Sequence, residues 1–153
     1  MTFTFDDSID LVSQAEGLLS GERDRIANAA NLSALIFQGF EGLNWAGVYF
    51  AHGEELVVGP FQGKPACVRI PFGRGVCGKS AASREVIRVK DVEAFDDHIA
   101  CDADSRSEIV LPLVKNDELI GVLDLDSPRP DRFSAEDEQL FRQIAAIYVN
   151  SVD

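Results

Sequence analysis

The stretch "EIVLPLVKNDELIGVLDLDS", residues 108–127, constrains the fold more than any other part of the chain. Two β-branched, apolar runs flank Asn116 and Asp117, residues that favour turns, so the segment reads as an antiparallel hairpin. Asp124 and Asp126 stand two apart on its second strand and share a face, on which Ile120 and Val122 precede them. Two carboxylates ending an apolar face read either as a strand running out into solvent or as the polar floor of a pocket. The side taken by Glu108 depends on register. A three-residue loop, 116–118, pairs Lys115 with Leu119 and sets Glu108 opposite Asp126, whereas a two-residue loop turns Glu108 to the other face. Alternation alone leaves both open.

The remaining elements follow from periodicity. Ile9, Val12, Ala15, Glu16 and Leu19 fall near helical spacing over residues 8–19. A second helical stripe joins Ile26, Ala29, Ala30, Leu32, Leu35 and Ile36, with Gly39 as its expected stop. "LNWAGVYF" and "EELVVGPF" read as hairpin strands around Gly53, and "ACVRIPF" and "VIRVKDV" as further strands. "GRGVCGKSAASRE" opens a short helix, and 93–106 is a long polar loop. In "SPRPDRFSAEDEQLFRQIAAIYVNSV", Ser134 and Asp137 approximate a capping box before a final helix carrying Leu140, Ile144, Ile147 and Tyr148, with Phe133 just ahead. No repeat or linker divides residues 1–153. The expected class is a single α+β domain, a central antiparallel sheet of about six strands with helices packed on one face.

With 46% hydrophobic and 26% charged residues among 153, the chain has the makings of a core. Its formal net charge of −12 opposes phosphate backbones and anionic membrane surfaces, so neither nucleic acid nor membrane is expected as a partner. The N-terminal stretch lacks the basic and apolar regions of a signal peptide, and a cytoplasmic setting is expected. Thiols there stay mostly reduced.

Three cysteines then need explaining. Cys67, Cys77, His98 and Cys101 are zinc-ligand types, but intervals of nine, twenty and two residues lack the paired clasp of a structural site, and no metal is expected. Inert burial suits Cys67, which alternates with Val68 in an expected strand. It suits Cys101 less, because "HIACDADSRSEI" is polar. Redox chemistry needs Cys101 accessible and a second thiol within reach. The acids around it raise a thiol pKa unless a substrate cation or a helix terminus intervenes. If Glu108, Asp124 and Asp126 converge, repulsion and burial raise at least one of their pKa values. That leaves one carboxyl as a general acid while others bind a cation. Trp45, Gly47 and Tyr49 alternate onto one face and offer an aromatic wall for an apolar or sulfur-bearing tail, or else ordinary core.

"NWAGVYF", "LVVGPFQGKPACVRIPFGRGVCG", "HIACDADSRSEIVLPL" and "LIGVLDLDSP" closely resemble the free methionine-R-sulfoxide reductases, which are stand-alone GAF domains. The resemblance runs from about residue 22 to 140. It implies reduction of free L-methionine-R-sulfoxide by a sulfenic acid and disulfide mechanism. Cys101 would be the nucleophile, Cys67 the main resolving thiol and Cys77 an additional thiol. Glu108, Asp124 and Asp126 would bind the substrate ammonium and protonate the sulfoxide oxygen, and Trp45 and Tyr49 would shape the pocket around the methyl-sulfur end. It further implies no bound cofactor, thioredoxin as reductant (with NADPH indirectly) and a homodimer. Two departures fall in the loop carrying Cys101. The family often has Pro-Gly where this chain has Asp96-Asp97, and a histidine where Glu93 stands. A non-catalytic GAF sensor of a cyclic nucleotide is the rival reading, which an acidic pocket opposes.

Overall fold

Strand alternation organises the computed structural model, which describes residues 3, 5, 6 and 9–153. Strands β1 (Trp45–His52), β2 (Glu55–Gly63), β3 (Arg69–Pro71), β4 (Ile87–Val89), β5 (Ser107–Lys115) and β6 (Glu118–Ser127) form one sheet in the order β3-β2-β1-β6-β5-β4, antiparallel throughout. Helices α1 (Leu11–Leu19), α2 (Arg25–Gly39) and α4 (Ala135–Ser151) cover one face. The short helix α3 (Gly75–Ser83) lies across the opposite face. The expected α+β class and helical face stand, with α3 as the element on the second side. The expected first helix starts at Leu11, and residue 8 lies outside the described residues. Among the described residues, no helix is long and apolar enough to cross a membrane.

Local chemistry sets the helix ends. Asp10 and Asp24 accept from the backbone N–H of Ser13 (2.9 Å) and Ala27 (2.8 Å), satisfying N-terminal donors that lack helical partners. Ser134 and Asp137 form the full capping box on α4. Gly39 is the last residue of α2, the stop expected, and Phe40 caps the helix with its backbone N–H bonded to Ile36 O. A Cβ on Gly39 would meet Leu11 Cδ1 and Phe5 Cε2 at 2.9 Å, so the glycine also admits close neighbours. The strand expected over "ACVRIPF" shrinks to Arg69–Pro71, leaving Cys67 and an exposed Val68 in a loop.

The hairpin resolves its own register in an unforeseen way. Asn116 (φ 50°) and Asp117 (φ 67°) make a two-residue turn that pairs Lys115 with Glu118. A bulge between Leu113 and Val114 on the β5 side then takes up one extra residue of β6, so Leu113 faces Gly121 and Glu108 faces Asp126. The two-residue loop therefore does not turn Glu108 away. The same bulge moves Ile120 into the helix-side core, while Leu119 and Val122 stay with the opposite cluster.

Candidate active site

Each side of β6 has its own chemistry. Leu123 and Leu125 point into the helices, and Val122, Asp124 and Asp126 point the other way. Adjacent β5 brings Glu108 opposite Asp126 and Val110 opposite Asp124. Glu108, Asp124 and Asp126 are 7%, 4% and 8% exposed, three carboxyls in one buried group. Burial is the main force raising the Glu108 pKa well above the ordinary range, reinforced by the charges of Asp124 and Asp126. Asp126 is likewise pushed well up by burial and then by Asp124. Burial raises Asp124 too, but hydrogen bonds from Glu108 and Cys77 pull it part of the way back. One oxygen of Asp124, Oδ1, is buried without a partner. Such a cluster stores protons.

Cys77, on the first turn of α3, sits against this floor, its Sγ 3.9 Å from Glu108 Oε2. Its thiol is buried, and desolvation followed by the charges of Asp124 and Glu108 drives its pKa well up, which suits a thiol kept protonated. Cys77, Glu108 and Asp124 each place one ligand atom within 4.8 Å of the others, the one grouping among the described residues with the donors and proximity to hold a cation.

β1 supplies the wall. Trp45 and Tyr49 stack at 5.7 Å between ring centroids, and Phe61 of β2 lies on Trp45 at 5.1 Å. Gly47 between them has no room for a side chain, since a Cβ would meet Trp45 Cη2 at 2.7 Å. The polar atoms of both aromatics hold the segment carrying Cys67: Trp45 Nε1 donates to Lys64 O (3.1 Å) and Tyr49 Oη to Cys67 O (3.3 Å).

The mouth is made by two loops whose cysteines are joined. Cys67 and Cys101 form a disulfide with Cα atoms 5.4 Å apart, while Cys77 remains free. With that bond closed, the space above the carboxyls is about 40 Å³, room for ordered water. Arg74 and the first residues of α3 line the same cleft, with His98 and Ile99. Arg74 Nε bonds Asp97 Oδ2 at 2.7 Å, which holds that carboxyl below its usual range. Asp97 adopts φ 62°, a left-handed conformation that favours glycine and that aspartate tolerates.

All eight residues singled out in the sequence thus meet around one cleft: Cys67 through its bond to Cys101, the other seven in its lining. The zinc set does not assemble, since Cys67 and Cys101 are bonded to each other and Cys77 faces carboxylates. Sequence reading passed over Asn44. It ties the Cys101 loop to the sheet, and its place directly before Trp45 was the available signal.

A GAF domain family model matches residues 24–151. The free methionine-R-sulfoxide reductase of Escherichia coli strain K12 is 54% identical over 137 residues, covering 90% of this chain and 83% of that protein. The structure of fRMsr of Staphylococcus aureus in its reduced form superposes with a TM-score of 0.92 at 43% identity, covering 100% of both chains. The free methionine-R-sulfoxide reductase of Neisseria meningitidis, solved in complex with its substrate, superposes with a TM-score of 0.90 at 39% identity, covering 99% of this chain and 92% of that one. On fold, motif and sequence together, the chain belongs to the GAF family and, within it, to the free methionine-R-sulfoxide reductases.

Proposed function

We propose that this chain reduces free L-methionine-R-sulfoxide to L-methionine, with Cys101 as nucleophile and Cys67 as resolving thiol. The observation that carries the reading is the Cys67–Cys101 disulfide closing a cleft floored by Glu108, Asp124 and Asp126. The relatives' names and the substrate complex of the Neisseria protein support it.

In this reading the substrate ammonium settles on Asp124 and its neighbours. Trp45 and Tyr49 enclose the methyl-sulfur end, and the carboxylate lies toward Arg74 and the N-terminus of α3, the positive end of that helix. The Cys101 thiolate attacks the sulfoxide sulfur. Glu108, kept protonated by burial and its acidic neighbours, gives its proton to the oxygen. Oxygen leaves methionine and stays on Cys101 as a sulfenic acid, so the two electrons gained by the substrate sulfur come from the cysteine. Cys67 then attacks that sulfur, water departs, and the disulfide remains. A dithiol reductant, thioredoxin in the proposal, restores both thiols with electrons from NADPH and no bound cofactor. Cys77 takes a secondary place as an additional thiol, because it is buried and held protonated. A cytoplasmic homodimer completes the proposal.

Ammonium binding also explains specificity. A peptide bond removes the cation and leaves a buried carboxylate unpaired, at a cost of several kcal/mol. The test is thioredoxin-coupled NADPH oxidation with free L-methionine-R-sulfoxide and the S epimer in parallel. Turnover of the R epimer alone is expected. Turnover of neither epimer, with a dithiol as backup reductant, would overturn the assignment.

A further inference from the structure

The loop carrying Cys101 is anchored one residue beyond the cysteine. Asn44 Nδ2 donates to Asp102 Oδ2 and to Ser105 Oγ, both at 3.0 Å. Asp102 uses its other oxygen, Oδ1, to accept from Asp104 N (2.9 Å), and Ser105 N bonds Asp102 O (3.2 Å). Residues 102–105 are thus one knotted turn, gripped from the sheet by the Asn44 amide and at the surface by the ion pair of Lys64 with Asp104 (2.6 Å).

That amide is itself held by the sheet. Asn44 N donates to Asp126 O (3.0 Å), and Asn44 directly precedes Trp45, whose register partner is Asp126. Position 44 therefore belongs to the rigid floor, whatever its side chain. Its Oδ1 is buried and has no partner, so the side chain is placed for its two donations at the expense of its acceptor. A serine could not span both acceptors, and an aspartate could not donate at all.

We infer that Asn44 is a positioning residue: through Asp102 it fixes the Cys101 sulfur relative to the Glu108 and Asp126 carboxyls. The inference rests on the reading of Cys101 as nucleophile. Attack requires sulfur and acid at near-attack distance from one substrate, and a small misplacement of either is costly. Asn44 does not line the cleft, so its loss should spare ligand affinity and slow the chemical step.

The experiment measures methionine release in a single turnover by fully reduced wild type, Asn44→Ala, Asn44→Asp and the exchanged pair Asn44→Asp/Asp102→Asn. Methionine affinity and thermal unfolding are read alongside. Asn44→Ala should release methionine about tenfold more slowly, since a hydrogen bond to a charged group is lost, with affinity for methionine unchanged. Asn44→Asp sets two carboxylates together and should be slower still. The exchanged pair restores donor and acceptor with polarity reversed and should recover most of the rate, which a merely structural role would not produce. A wild-type rate in Asn44→Ala, or an exchanged pair no faster than Asn44→Asp, would overturn the inference. Failure of wild type to release methionine would instead overturn the reductase reading, and the inference with it. If Asn44→Asp does not fold, Asn44→Ala decides the matter, because its backbone bond to Asp126 is untouched.

Discussion

The two faces of the sheet are built from the same strands and differ by one residue of register, yet they do opposite work. The helix side buries Leu111, Leu113, Leu123, Leu125, Phe133, Phe141, Ile144 and Tyr148 at 1% exposure or less. The other side buries Trp45, Tyr49 and Val122, but also a thiol and three carboxyls. Apolar burial on the first face favours folding at about 25 cal/mol per Å². On the second face, desolvated acids oppose folding until a proton or a cation neutralises them. Alternation lets one face hold the molecule together while the other holds a strained electrostatic arrangement a few ångströms away.

Substitutions on each face should therefore separate stability from chemistry. The largest effect is expected from Cys101→Ser, which should abolish turnover with an intact fold, since a half-buried loop cysteine contributes little packing; circular dichroism and the coupled assay check both halves. Glu108→Gln should lower turnover by about 10²- to 10⁴-fold, the usual worth of a general acid. It should also stabilise the ligand-free chain at pH 7 by about 1–2 kcal/mol, because an ill-solvated acid is replaced by a neutral amide.

That variant has a pH signature. Glu108 and Asp126 keep their protons in the folded chain well above the pH at which an unfolded carboxyl, with an ordinary value near 4.5 for glutamate, loses its own. Within that window the folded chain binds more protons than the unfolded one. Stability should fall as pH rises through it and return on acidification. Melting curves taken from pH 5 upward should show this slope in wild type and a shallower one in Glu108→Gln. A flat wild-type profile would mean that the carboxyls are not desolvated as described.

Leu123→Ala tests the other face. Leu123 is fully buried in the helix-side core, and its truncation should cost about 3 kcal/mol while leaving kcat per folded molecule unchanged. The smallest effect is expected at the far end of the same side. Ser134→Ala removes the α4 cap and should cost about 1 kcal/mol in denaturant titrations, with no change in turnover. A large activity loss in either variant would show that the faces are coupled more tightly than one sheet of packing suggests.

Much of this division was legible in the sequence, and the exceptions share a cause. The hairpin, the aromatic alternation of Trp45, Gly47 and Tyr49, and the Ser134 cap rest on local rules, and they appear as expected. The side taken by Glu108 depended on a bulge near Leu113, and that bulge also sent Ile120 to the helices. Bulges answer to twist and packing across the whole sheet, which periodicity does not record. Gly39 ends α2 as read, but its close packing against Leu11 and Phe5, both distant in sequence, left no local signal. The joining of Cys67 to Cys101 spans 34 residues and came from resemblance, since spacing alone left zinc, burial and redox chemistry open. The burial of Cys77 and the grip of Asn44 are tertiary facts with only faint local signals. At Asp97, where the resemblance implied a glycine, the backbone φ is positive and the side chain pairs with Arg74.

In the proposed reaction the buried carboxyls select a free ammonium. The most direct measurement compares kcat/KM for free L-methionine-R-sulfoxide with that for its N-acetyl derivative, under one reductant and one pH. A preference for the free amino acid of about 10³-fold or more follows from leaving a buried carboxylate without its cation. Comparable values for the two substrates would contradict it, and the acidic floor would then have to serve proton transfer alone.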